Sequence, residues 1–358
     1  AVINGVKTVK GYQPVTDWLL AMNGAGIAVS EVDKADYLAS VLSSINLFAD
    51  SDTENVGTMA KIAIALTSLG IDVRQIADPD GGDAPIDLID EIANYSGSVD
   101  KYSAPYILSL YDLEDVSGDK TYPLPVDPVL TREALLSTIL NAQNSETGLF
   151  GSVDDTGITL PSLAPYYLAE EGLEFNGIGT ETISAVKAAV NAAVAALSGK
   201  QTIDGGFGAP NANTASTVIT GLAALGVDPH ADERFIKSGS TLITNLLSFR
   251  TINDKLGFTS NASANDYASV QGFQALAAYQ NLTGQGSSNI YHFPAEVSVY
   301  INWPDAKLLT GIAITKNPTK TTYDLNEGEG SSTTVNTAGM EVTAYYNGDI
   351  SDSKVIEE

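Results

Sequence analysis

Along Thr180–Leu197 the apolar residues Ile183, Val186, Val190, Val194 and Leu197 recur at steps of three and four. That spacing gathers side chains on one face of an α-helix. Thr214, Val218, Leu222 and Leu225 repeat it. Read with the Gly-, Asp- and Asn-rich breaks, such patterns predict one set of helices over about 55–70, 101–113, 155–172, 213–226 and 264–281. A second set alternates with it, over about 34–48, 85–95, 131–143, 181–200 and 233–249, and Val15–Asn23 adds one more. Beyond Gly284-Gln-Gly-Ser-Ser-Asn289 the period changes. Val297–Ile301, Gly311–Thr315 and Glu341–Tyr346 alternate as strands do, the last running into the turn pair Asn347-Gly348.

The breaks between helices repeat as well. Gln201-Thr-Ile-Asp-Gly-Gly-Phe-Gly208 precedes Asn213-Thr-Ala and an apolar helix ending at Leu225-Gly226. Gln143 with Gly148-Leu-Phe-Gly151 precedes Asp155-Thr156 and a run to Gly172, and Leu256-Gly-Phe258 precedes Asp266-Tyr-Ala268. Two earlier segments keep only the second half, Asn55-Val-Gly-Thr58 into Leu69-Gly70 and Asp100-Lys-Tyr102 into Leu113. A recurrence of about 45–55 residues marks stacked or ring-closed repeat architectures. A ring would close where Val15–Asn23 meets the last helix, and closure removes the need for polar capping repeats. Asp155, Asn213 and Asp266 are expected to cap helix N-termini. Gly70, Gly172 and Gly226 sit where left-handed C-terminal stops fall. Phe207 is expected to plug between neighbouring helices while its glycines fold the loop. Tyr166, Tyr167 and Trp18 read as core.

Composition narrows the class. Hydrophobic residues make up 44% and charged residues 17% of 358, enough for a packed core. The net charge of -26 argues against nucleic acid and anionic membrane surfaces, which both select for Lys and Arg. No cysteine is present, which removes disulfides, thiolate nucleophiles and zinc thiolate sites. No run of about 18 apolar residues suggests a membrane span. The opening Ala1–Gly5 lacks the basic and apolar regions of an export signal, so any such signal is expected to have been removed or never present.

With these residues in hand, the helical region resembles the α/α toroid of the prenyltransferase and terpene cyclase repeat superfamily. The match lies in the Gln…Asp-Gly-Gly-Phe-Gly phrase and the helix-opening Asn/Asp-Thr-Ala. It is most similar to the non-catalytic, transcobalamin-like branch found among surface proteins of Gram-positive bacteria. The C-terminal piece resembles a bacterial Ig-like domain, through Leu309-Thr-Gly-Ile-Ala-Ile-Thr-Lys-Asn-Pro-Thr-Lys-Thr-Thr-Tyr323, Glu327-Gly328 and Thr337–Tyr346. The expected fold class is therefore mainly α: a toroid of about six helical hairpins over residues 1–290, a linker over 291–306 and an Ig-like module over 307–358. That module is expected to be incomplete, because about fifty residues is short for a two-sheet sandwich.

The chemistry known in that superfamily is missing. Its protein prenyltransferases hold zinc through Asp, Cys and His, whereas this chain has no Cys and only His230 and His292. Its class II cyclases use an Asp-x-Asp-Asp acid, of which Asp154-Asp155 is only a fragment, at a helix start where capping explains it. A Gly-x-Ser-x-Gly elbow is absent, and no Gly-Lys-Ser/Thr follows the Gly205-Gly206 loop. A carboxylate pair for glycoside hydrolysis stays open, since 44 acidic residues make candidate pairs plentiful. Asp78-Pro-Asp80-Gly-Gly-Asp83 and Asp50-Ser-Asp52 are oxygen-rich and could hold calcium. The first of them lacks the ligand spacing of an EF-hand, so a solvated turn is the simpler reading. No other cofactor is implied.

Tyr102 and Tyr267 stand at the repeat position occupied elsewhere by Thr58, Thr156 and Thr214. They are expected at one end of the ring axis with Asp155 and Asp266. Tyr102, Asp155, Thr214, Asp266 and Tyr267 are thus the candidate ligand-binding residues, with capping and ring-filling as the alternative. The expected function is non-catalytic binding or adhesion, extracellular, on the cell wall or surface of a Gram-positive bacterium. The mouth would take a carbohydrate or a cobalamin-like small molecule, or the partner would be another surface protein, with the Ig-like module as spacer. Cobalamin is weakened because transcobalamin-like proteins close their site with a second domain not seen here. The alternatives are an enzyme acting on polysaccharide or lipid through a carboxylate pair in the cavity, and a purely structural surface protein.

Overall fold

The computed structural model describes residues 14–49, 56–76, 85–284, 286–299, 309–316 and 341–346. Among these residues the chain is mainly helical. The helices are α1 (Pro14–Gly24), α2 (Glu31–Ala49), α3 (Val56–Ser68), α4 (Leu88–Ala93), α5 (Ala104–Asp112) and α6 (Arg132–Asn141). They continue as α7 (Val153–Leu168), α8 (Thr180–Lys200), α9 (Ala212–Ala224), α10 (Leu242–Ser248) and α11 (Asp266–Thr283). Eleven segments read from periodicity correspond to these eleven helices, with one change of shape. The stretch expected to be helical over 233–249 is broken into a 3₁₀ turn at Glu233–Phe235, a tight turn bridged from Lys237 to Ser240, and only then α10.

Two layers follow from which faces are apolar. Every residue of α9 is buried, whereas α8 buries a single stripe built on Ile183, Val186, Val190, Val194 and Leu197. A helix wrapped on all sides belongs inside, and one with a single apolar stripe belongs outside. Accordingly α1 packs on α3, α3 on α5, α5 on α7, α7 on α9 and α9 on α11, and α11 returns to α1. The even-numbered helices lie against this cycle, α8 on α7 and α10 on α9 among them. At the join, the Trp18 and Phe273 rings lie 5.4 Å apart, and the Gln274 side chain donates to the Asp17 carbonyl at 3.1 Å. Trp18 is half-buried there, whereas Tyr166 is fully buried and Tyr167 half-buried with its hydroxyl 3.1 Å from Asn191 Oδ1. By length and composition α8 is also the one described helix apolar enough to cross a membrane, although no uninterrupted apolar run suggested it. Its stripe is already packed on the helical layer.

Glycine permits the closest approaches between inner helices. A Cβ on Gly57 would lie 2.6 Å from the Ser103 backbone, and one on Gly157 would lie 2.6 Å from the Thr217 carbonyl carbon. Pro161 has no N–H to offer the Gly157 carbonyl, and that same oxygen would meet a Cβ on Gly221 at 2.7 Å.

Helix ends differ in detail from the expected caps. Ser152, Asn211 and Asn265 are the N-caps, so Asp155, Asn213 and Asp266 lie one to three residues inside their helices. Several small polar residues compete at each start, and the one with extended backbone takes the cap. Gly70 and Gly226 do end α3 and α9 with φ of 80° and 75°. The following amides, of Ile71 and Val227, reach back to Leu66 and Leu222 at 3.1 and 2.9 Å. Gly172 has φ 76° but lies in the turn after α7, which ends at Leu168.

The recurrent Gln is a bolt between repeats. Gln143 Nε2 donates to Gly148 O and Ala189 O, both at 2.8 Å, and Gln201 Nε2 donates to Gly205 O and Phe235 O, both at 3.0 Å. One bond closes its own loop and the other ties that loop to the next outer element. The plug assigned to Phe207 is corrected: that ring is half-buried, and Gly205 and Gly206 are the residues pressed against Thr241 and Asn245. In the neighbouring copy Phe150 is fully buried.

Residues 291–299, expected to be linker, pack on the helices instead. Ser298 bridges to Ile71 and Pro294 bridges to Glu114, and just before this segment Asn289 Nδ2 donates to Pro161 O at 2.8 Å. The chain divides into two units at Tyr300 and Ile301. In the second unit β1 (Leu309–Lys316) and β2 (Glu341–Tyr346) pair antiparallel, with Ile312 opposite Ala344. Strands were expected at both places. The remainder of the expected Ig-like module, including Asn347-Gly348, lies outside the described residues.

Candidate functional site

A cavity of 790 Å³ lies within the helical unit and is lined by residues of all six inner helices. Its volume falls within the range of about 300–1,000 Å³ typical of small-molecule sites. Two lone charges sit in its wall. Lys61 is the one charged residue of α3 and Asp17 the one of α1, and their side chains meet at 2.6 Å. An apolar helix can only carry such a charge where a partner or water meets it. Here the Lys61 side chain keeps 20% exposure and that of Asp17 keeps 7%.

The pair is braced on three sides. Gln274 Nε2 donates to Asp17 Oδ1 at 3.2 Å from α11. Lys61 Nζ stands 5.1 Å from the centre of the Tyr106 ring, and the Tyr106 and Tyr291 rings meet edge-on at 5.8 Å. Burial alone would lower the Lys61 pKa, but the Asp17 carboxylate with Tyr106 and Tyr291 carries it well above the ordinary lysine value. Paired with Asp17 at 2.6 Å, Lys61 is held as the ammonium. Burial pushes the Tyr291 hydroxyl well above the usual phenol range, and burial does the same to Tyr37, which bonds Thr16 Oγ1 at 2.9 Å.

The opposite wall is α9. Ser216 Oγ donates to Ala212 O at 2.7 Å, Thr217 Oγ1 to Thr214 O at 3.1 Å and Thr220 Oγ1 to Ser216 O at 3.0 Å. Gln271 on α11 accepts from Asn213 Nδ2 at 2.6 Å. At the α5 end Asp100 Oδ1 accepts from the backbone N–H groups of Tyr102 and Ser103 at 3.1 and 2.8 Å, so this carboxylate is occupied in ordering the helix start.

Of the residues singled out from the sequence, Tyr102 and Tyr267 do line this cavity, 55% and 38% exposed, and Thr58 lines it too. The other three are engaged elsewhere. Asp155 closes a capping box with Ser152 and lies 3.5 Å from Lys101 Nζ. Thr214 Oγ1 donates to Asp154 Oδ2 at 3.2 Å, and burial raises the Asp154 pKa against that bond. Asp266 is largely exposed, 3.3 Å from Lys255 Nζ. These three are held by Ser152, Asp154 and Lys255, none of which lines the cavity. The calcium candidates Asp78, Asp80 and Asp83, like Asp50 and Asp52, lie outside the described residues. Among the described residues no three His, Cys, Asp or Glu side chains gather as a metal set. His230 instead meets Thr241 Oγ1 at 2.8 Å, away from the cavity.

Lys61, Asp17, Gln274 and Tyr291 were not singled out beforehand. A signal existed for the first two, as solitary opposite charges in apolar helices. None existed for Tyr291, which reads as linker until the chain folds back. No protein-family model matches this chain, and no curated protein is significantly similar to it.

Proposed function

We propose that the helical unit is an α/α toroid of about six hairpin repeats and that its central cavity is the ligand site of a non-catalytic binding or adhesion protein. The cycle from α1 through the odd-numbered helices to α11 and back supports the ring. The observation that carries the function is the 790 Å³ cavity at its centre, with polar groups set among apolar ones and tyrosines at its edge, where a scaffold alone would be filled by side chains. The sequence likeness of the C-terminal unit, with strands β1 and β2, supports a bacterial Ig-like spacer and thus a place on the surface of a Gram-positive cell.

The enzyme reading is weaker for a specific reason. A glycoside hydrolase needs one carboxylic acid and one carboxylate facing a substrate. Of the acids lining this cavity, Asp17 is ion-paired to Lys61 and Asp100 holds the start of α5. Screening the intact chain against glycans and corrinoids tests the proposal, with Tyr102→Ala and Tyr267→Ala measured alongside. Binding that both variants weaken supports it. Turnover of a polysaccharide, abolished by Asp17→Asn, would replace it with the enzyme.

A further inference from the structure

The cavity wall is uneven in hydrogen-bonding character, and this unevenness bears on what it can hold. On α9 the protons of Thr217 and Thr220 go to helix carbonyls, so each hydroxyl offers the cavity its oxygen, whereas Ser216 is fully buried. Gln274 commits its amide N–H₂ to Asp17, which leaves the amide oxygen. Asp17 and Asp100 add carboxylate oxygens. Donors come from the Lys61 ammonium, from the Gln271 amide nitrogen, its oxygen being taken by Asn213, and from lining hydroxyls such as those of Tyr102 and Thr58. A phosphate or carboxylate ligand brings acceptors alone and would leave the oxygens of Thr217, Thr220 and Gln274 unmatched beside the Asp17 and Asp100 carboxylates, in a chain of net charge -26. A cation gains little, because Lys61 sits inside beside Asp17, and Asp100 is taken up by α5. A group that both donates and accepts without charge satisfies both kinds of wall.

At the rim, Tyr102 and Tyr267 add ring surface, and Lys101 Nζ lies over the Tyr102 ring at 4.8 Å. Exposed tyrosine rings offer apolar faces to C–H surfaces.

Resting on the reading of this cavity as a ligand site, we infer that it takes a neutral sugar, a short oligosaccharide whose hydroxyls donate to the Thr217 and Thr220 oxygens while a ring face meets Tyr102 or Tyr267. Thr217 and Thr220 are then specificity-determining. Removing the acceptor at Thr217 leaves a sugar hydroxyl unsatisfied, worth roughly a tenfold loss of affinity.

The test is an array of neutral and uronate-bearing glycans probed with the intact chain, followed by calorimetric titration of the best glycan and, separately, of cyanocobalamin. The expected result is binding of a neutral glycan with its uronate counterpart silent. Thr217→Val should weaken it about tenfold and Thr217→Ser should restore it, since serine keeps the oxygen. The two variants are first compared by circular dichroism and melting, so that loss of fold is separated from loss of contact. A uronate glycan or cyanocobalamin that binds and is weakened by Tyr102→Ala overturns the neutral-sugar inference and leaves the binding-protein reading standing. A neutral glycan indifferent to Thr217→Val likewise overturns it. Silence from every glycan and from cyanocobalamin removes both.

Discussion

Replacing Gly157 with alanine tests how the inner helices meet. Inside a helix this change is ordinarily favourable, by about 0.5–1 kcal/mol, because glycine loses the most backbone freedom on folding. At this position the new Cβ would stand 2.6 Å from the Thr217 carbonyl carbon, 2.7 Å from its oxygen and 2.8 Å from the Val218 nitrogen. Comfortable carbon contacts begin at about 3.5 Å, so α7 and α9 would have to separate by nearly an ångström. All three atoms are backbone, so no rotamer change relieves the contact. Overpacking of this kind costs about 1–3 kcal/mol; set against the propensity gain of about 0.5–1, it leaves Gly157→Ala destabilised by up to about 2.5 kcal/mol. Gly199, near the end of α8, has nothing within 4 Å of its own Cβ position and serves as the control. Gly199→Ala should be neutral or stabilised by up to about 1 kcal/mol. Urea unfolding of both variants followed by far-ultraviolet circular dichroism reads the difference directly. If Gly157→Ala proves as stable as Gly199→Ala, the close crossing of α7 and α9 is wrong.

Three further outcomes are expected. Burial raises the pKa of Tyr37, Tyr111, Tyr122, Tyr166 and Tyr291 above the unfolded value of about 10, so their contribution to stability is complete below about pH 10 and is lost as the pH rises further. Absorbance at 295 nm should therefore show these phenols ionising only together with loss of helical dichroism; ionisation of all 16 tyrosines near pH 10 with the helices intact would contradict their burial. In a double-mutant cycle, Lys61→Met and Asp17→Asn should show a coupling of about 1–3 kcal/mol, and a value under about 0.5 would mean that cavity water already solvates both charges. Phe207→Ala, at a half-buried ring, should cost about 1 kcal/mol against about 3–5 for the fully buried Phe235→Ala; equal costs would restore Phe207 as the plug.

The sequence by itself determined the helices, because the signals that make them are local. Periodicity at Ile183–Leu197, the stops at Gly70 and Gly226 and the recurring Gln…Gly loops act within a few residues, and the structure keeps each of them. The strands at Leu309–Lys316 and Glu341–Tyr346 were legible for the same reason. Boundaries were less so. Asp155, Asn213 and Asp266 looked like caps because composition cannot say which of several neighbouring polar residues adopts the extended backbone that capping requires. Only the tertiary structure decided the cavity. Asp17 meets Lys61 from a helix 44 positions away (61 − 17) and Gln274 from one 257 away, and Tyr291 enters only because the segment after α11 folds back on the helices. Which face of each helix turns inward depends on packing against both neighbours in the cycle, a condition no local window contains. Repeat position therefore located Tyr102 and Tyr267 at the cavity, while Asp155, Thr214 and Asp266, at the same helix starts, are taken up by Ser152, Asp154 and Lys255.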